Sequence, residues 1–280
     1  MKAVAFDYER PASLSQAVEL LGSDERNAKV LAGGQSLGPM LNLRLAAPQL
    51  LIDVTRIPEL VRADSEGDAV VLGACVTHAA IEDGRVPDGT RGVMAGVARG
   101  IAYRAVRNRG TVGGSLAHAD PSADWPTSLA ALDAEALVFG PRGRRTVPLA
   151  EFIAGVFETA LGPDEILEAV RIPKLSTRAR WGFYKFCRKA GKFAEAMAAV
   201  LWDPERDIRR AVIGATESKP IVIEDAARLL ENTRESAFDG PLSESAVWRV
   251  LESAGIGGDR LARQIHIVAL RRALAQVQST

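Results

Sequence analysis

Two cysteines and three histidines in 280 residues leave little thiol or imidazole chemistry to place. Cys75 and Cys187 are too few for a disulfide framework, neither belongs to a C-x-x-C, and neither has a histidine at metal-ligand spacing. An iron–sulfur cluster takes about four thiolates, so this chain alone holds none, and both cysteines read as small buried or half-buried side chains. No metal site is expected. No nucleophile or acid–base pair stands out, so no catalytic residue is assigned, and His78 and His266 have no partner at any recognisable spacing. Aromatics are scarce, at 5%, and are not interleaved with the arginines at 142, 144 and 145 or at 271 and 272. The 35 basic and 35 acidic residues cancel, so no net field draws nucleic acid or an anionic membrane, and those arginines are expected on solvated surface. No run approaches the ~18 apolar residues of a membrane span. The first residues lack an apolar secretory stretch, and a cytoplasmic location is expected.

What is present is ordinary globular composition, 47% hydrophobic and 25% charged, with two glycine-rich turns far apart in sequence. They are Ala32-Gly33-Gly34-Gln35-Ser36-Leu37 and Thr111-Val112-Gly113-Gly114-Ser115-Leu116. Each offers consecutive amides beside a hydroxyl with no side chain in the way. Paired glycines are expected to adopt positive φ and let N–H groups approach an anion closely. Two such turns imply one ligand with two phosphates. Neither carries G-x-G-x-x-G or Gly-Lys-Ser/Thr, which excludes the Rossmann and Walker modes of holding it.

Along the chain, residues 3–6 read as a strand, 14–21 as an amphipathic helix, 29–31 as the strand delivering the first turn, and 49–54 as a buried strand. Residues 58–68 are polar and turn-forming, which places a boundary there. A second unit follows, with a strand at 70–73, a helix capped by Thr77, a helix over 92–103, and a helix from 121 to 132 with cap chemistry at Ser122 and Asp124. Strands are expected at 136–139 and 166–172. A polar linker at 173–180 precedes strands at 181–188, 194–201 and 208–215, then helices at 223–230, 243–253 and 260–277. The expected fold is α+β: two α/β subdomains, residues 1–57 and 58–175, and a C-terminal α+β domain, 176–280, built on a three-stranded antiparallel sheet with helices.

With Ala117-His118-Ala119-Asp120-Pro121 continuing the second turn, these motifs resemble the FAD-binding medium subunit of molybdenum hydroxylases, the carbon-monoxide dehydrogenase and xanthine dehydrogenase relatives with a PCMH-type FAD-binding domain. The resemblance extends through residues 50–54, 166–173 and 185–199. It implies that Ala32, Gly33, Gly34, Gln35, Ser36 and Leu37 wrap the FAD pyrophosphate with main-chain amides, completed by Thr111, Gly113, Gly114 and Ser115. It also implies that Asp124 bonds the ribityl or phosphate-proximal region, a role compatible with a helix N-cap. By the same resemblance Ile101, Leu167 and Lys185 align with residues lining the adenine and isoalloxazine ends, with plain core the alternative for the first two and solvated surface for Lys185; His118, beside the second turn, is placed either to hydrogen-bond flavin or phosphate or to be a satisfied loop histidine.

The same resemblance implies an oxidoreductase subunit without substrate chemistry of its own. A molybdenum-cofactor large subunit hydroxylates substrate, a small subunit with 2Fe-2S clusters relays electrons, and FAD here passes them to an external acceptor, in a dimer of heterotrimers. A stand-alone flavin oxidase or reductase is the alternative, and a non-enzymatic phosphate-ligand sensor a third. Two departures from the family pattern matter. Lys192 stands where an acid is usual, and Phe193 near a frequent tyrosine. A cation at Lys192 would raise the flavin potential by favouring the anionic reduced form.

Overall fold

A computed structural model describes residues 2–22, 27–189, 191–231, 238–256 and 260–279; Ala190, within the expected flavin-side stretch, lies outside them. The first sheet is parallel, in the order β1-β3-β2, from β1 (Asp7–Glu9), β2 (Ala28–Leu31) and β3 (Leu50–Asp53). The opening strand lies beyond the expected 3–6, because pairing of Asp7, Tyr8 and Glu9 with Leu50, Leu51 and Ile52 fixes it, not local apolar content. α1 (Leu14–Gly22) buries Leu14, Ala17 and Val18 on one face. α2 (Leu37–Leu43) starts directly out of the first glycine turn.

α3 (Pro58–Val61) and β4 (Ala63–Glu66) occupy the stretch read as a polar boundary; Leu60, fully buried, anchors it. β5 (Ala69–Gly73), α4 (His78–Glu82), α5 (Val93–Arg99), α6 (Arg104–Arg107), α7 (Val112–His118) and α8 (Asp124–Ala131) follow. The helix expected over 92–103 is only α5, since Ala102 takes φ 42° and breaks it. Then come β6 (Glu135–Gly140), β7 (Gly143–Pro148), α9 (Leu149–Phe152), the small hairpin β8 (Ile153–Gly155) and β9 (Glu158–Thr159), and β10 (Ile166–Pro173). The second sheet is antiparallel throughout, ordered β4-β5-β10-β6-β7, with the apolar β10 at its centre. Arg144 and Arg145, on β7, are exposed as expected, and each also reaches a carboxylate, Arg144 to Glu168 at 2.7 Å and Arg145 to Glu165 at 2.5 Å.

The last sheet, β11 (Arg180–Phe186), β12 (Ala196–Asp203), β13 (Ile208–Gly214) and β14 (Ile221–Ile223), is antiparallel in chain order. It has four strands, not three. The β-branched run Ile221-Val222-Ile223 pairs with residues 211–213, so the helix expected over 223–230 shrinks to a 3-10 turn at Ala226–Leu229. α10 (Glu244–Ser253) and α11 (Arg260–Gln278) cover one face. On the opposite face, Ala199 and Val212 meet Ala130 and Ala131 of α8. α8 is therefore buried along its whole length. A single continuous core joins the first two sheets. Among the described residues no helix is long and apolar enough to cross a membrane.

Candidate functional site

The two glycine turns, distant in sequence, touch. A Cβ built on Gly33 would lie 2.1 Å from the carbonyl oxygen of Arg109 and 2.8 Å from Cα of Gly110, and one on Gly114 would lie 3.7 Å from Cβ of Ala32. Gly33 is thus required by close approach. Positive φ, expected of the paired glycines generally, is confined to Gly34, at 70°. After β2 the chain leaves its ladder, and among the described residues the amides of Ala32, Gly33, Gly34, Gln35, Ser36 and Leu37 have no acceptor. Gln35 folds back, donating from Nε2 to the Gly33 carbonyl at 3.1 Å, and Ser36 sits at the N-cap of α2 with its hydroxyl making no capping bond. These donors, half-buried at Ala32, Gly33, Gly34 and Leu37 and exposed at Gln35 and Ser36, call for water or an anion.

The second turn differs from the expectation of free amides. It is the first turn of α7: Thr111 caps it, its hydroxyl accepting from Gly114 N at 3.0 Å. Val112 donates to Val76 O, Gly113 to Ala74 O at 2.9 Å and Ser115 to Thr111 O. A Cβ on Gly113 would stand 2.3 Å from that of Ala74. This turn therefore contributes bare backbone surface and the hydroxyls of Thr111 and Ser115.

Between the turns lies a cleft of about 590 Å³, within the usual range of ligand pockets. All fifteen residues singled out from the sequence line it. Asp124 is not an N-cap, since Ala123 holds that position without a side-chain bond. Instead its Oδ1 accepts from Lys185 Nζ at 2.7 Å, while the same ammonium donates to Gly100 O at 2.7 Å. Burial pushes the Asp124 carboxyl up, and the neighbouring Lys185 opposes this. Leu167 sits in the core at the bulge between β10 and β6, Ile101 is half-buried against the same core, and the His118 ring lies 5.1 Å from that of Phe157.

Sequence reasoning missed several wall residues. Tyr103 lines the cleft, and a Cβ on Gly191, at φ 77°, would strike its ring at 2.5 Å. Glu165 also lines it; the Arg145 guanidinium holds its carboxyl down at about 2. His78, read as partnerless, accepts at Nδ1 from Trp125 Nε1 at 3.1 Å. Cys75 is walled in, its thiol pushed up to about 12 by burial. Lys192 and Phe193 line the cleft too, with Phe193 largely exposed.

Residues 4–175 match the family described as the FAD binding domain in molybdopterin dehydrogenase. The nicotine 6-hydroxylase medium subunit of Paenarthrobacter nicotinovorans is 41% identical over 219 residues, 77% of this chain and 76% of that one. The carbon monoxide dehydrogenase medium chain of Hydrogenophaga pseudoflava is 41% identical over 196 residues, 70% and 68% of the two chains. A structure of carbon monoxide dehydrogenase from the latter organism superimposes with a TM-score of 0.87 at 31% identity, covering 100% of this chain and 99% of the other. The chain belongs to the FAD-binding family of the molybdopterin dehydrogenases, an oxidoreductase family, and it is similar to the medium subunits of these enzymes along its described length.

Proposed function

We propose that this chain is the flavoprotein medium subunit of a cytoplasmic, heteromeric molybdenum hydroxylase, assembled with a molybdenum-cofactor large subunit and an iron–sulfur small subunit as a dimer of heterotrimers. Bound FAD supplies the exchange between single electrons arriving from 2Fe-2S clusters and delivery to an external acceptor. The chain's own residues hold that cofactor and set its surroundings. The observation that carries the proposal is the row of amides from Ala32 to Leu37, without acceptors among the described residues, lining one cleft with Thr111 and Ser115. That donor set fits a pyrophosphate: neutral N–H and O–H groups converge where no side chain intrudes. Ile101, Leu167 and His118 supply the apolar and polar walls for the rest of a dinucleotide, and Asp124 with Lys185 a fixed polar pair. The division into residues 1–57, 58–175 and 176–280 gives each of the first two units one turn and the third Lys185.

The test is the visible spectrum of the purified protein, with the cofactor released by heat, identified by chromatography, and co-purifying chains recorded. Flavin bands, released FAD and two further chains are expected. A colourless chain that refuses added FAD, alone and with its partners, overturns the proposal. Turnover of an organic donor by the isolated chain would instead favour a stand-alone flavin enzyme.

A further inference from the structure

His78 opens α4 immediately after its N-cap Thr77 and is 5% exposed. Its amide donates to Gly110 O at 2.9 Å, which ties the residue to the base of the second turn. The indole of Trp125 is a donor only, so the 3.1 Å bond from its Nε1 leaves Nδ1 of His78 bare. The neutral ring then carries its proton on Nε2. Burial, with Arg107 adding to it, holds the pKa down to about 4, so the ring is uncharged at neutral pH.

The structure thus fixes one donor, Nε2–H, on a ring that forms part of the cleft wall, and among the described residues that donor has no acceptor. Its position is set by Gly110. A Cβ there would stand 2.9 Å from both Nε2 and Cδ2 of His78, and Cα of Gly110 in turn lies 2.8 Å from where Gly33 would carry a Cβ. His78, Gly110 and Gly33 form a stack at the seam between the two turns. Unlike His266 Nδ1, which is buried with no partner among the described residues, Nε2 of His78 is not sealed off and opens onto the cleft, where a ligand or water can accept from it.

We propose that His78 donates from Nε2 to a phosphate oxygen of the dinucleotide bound in the cleft, as a neutral donor held in one tautomer by Trp125. This rests on the flavin reading above. The side chain is a binding residue, and it takes no part in electron transfer.

The test titrates FAD into the flavin-depleted complex, for wild type, His78→Phe and His78→Gln, with melting temperature measured on each before flavin is added. His78→Phe keeps a flat ring and loses the donor, so its Kd should rise about ten- to a hundredfold. His78→Gln keeps an N–H and should recover most of that loss. Ring nitrogen NMR of the wild-type full chain, labelled at histidine, should show Nε2 protonated and its signal moving when FAD binds. This readout stands even if neither variant folds. Unchanged affinity in His78→Phe, a proton on Nδ1, or an Nε2 signal indifferent to FAD overturns the inference and leaves the flavin reading intact. A wild-type complex that takes up no FAD removes both.

Discussion

Lys185 Nζ and Asp124 Oδ1 lie 2.7 Å apart, with side chains 18% and 9% exposed, and so fasten β11 to the first residue of α8 across the cleft wall. Removing the cation leaves a carboxyl that burial already drives upward. Lys185→Met should therefore destabilise the protein by about 3–5 kcal/mol, the usual consequence of stranding one partner of a buried pair. The Lys185→Met, Asp124→Asn double variant should lose much less than the sum of the singles. A denaturant double-mutant cycle decides: additive singles would mean that the pair contributes no coupling.

Gly33→Ala drives a methyl group into backbone, 2.1 Å from the Arg109 carbonyl oxygen, and must separate the two turns. Flavin content should fall to a small fraction of wild type. Gly38→Ala, where nothing lies within 4 Å, is the matched control on the adjoining helix and should retain flavin. Equal flavin-to-protein ratios in the two variants would show that the turns need not touch.

Lys192 lines the cleft. A positive charge favours the anionic reduced flavin, so Lys192→Glu should lower the midpoint potential by on the order of 30 mV, about 1.4 kcal/mol for a two-electron couple. Spectroelectrochemical titration of both proteins reads this directly. An unchanged midpoint would put the Lys192 charge out of range of the isoalloxazine.

His78 and His266 are both buried, and burial holds each ring down at about 4 from an ordinary 6.5. Each binds a proton more readily unfolded than folded between those values, so the stability they contribute is complete above about pH 6.5 and is lost as pH falls toward 4. At about 1.4 kcal/mol per unit, each should account for about 3 kcal/mol at the acid end. Chemical denaturation from pH 7 to 4.5 should show the decline, and His266→Phe should flatten its share. A flat wild-type profile would contradict neutral burial of both rings.

The glycine turns were legible because their composition is local: paired glycines beside a hydroxyl, after a strand in the first turn and a short helix in the second. Thr77 as a cap was legible for the same reason, and its hydroxyl accepts from Ala80 N at 3.1 Å. What could not be read depends on distant partners. Nothing near residue 113 announces that its amide is already bonded to Ala74 O, or that Gly34 alone among the turn glycines has positive φ. Asp124 looked like a cap because helix starts favour aspartate; its true partner lies 61 residues on. Trp125, 47 residues from His78, was equally out of sight. β14 was lost because a three-residue apolar segment fits a helix as well as a strand until β13 lies beside it.

α8 belongs to two neighbourhoods at once. Its first residue faces the cleft, and its last turn, Ala130 and Ala131, packs against Ala199 and Val212 while Arg210 bonds the Ala130 carbonyl at 3.2 Å. The family match ends at residue 175, before any of those C-terminal partners. A fragment cut there would keep both glycine turns yet strip one side of a fully buried helix and discard Lys185. The segment recognised by similarity and the packing that buries α8 therefore have different edges, with α8 as the stitch between them.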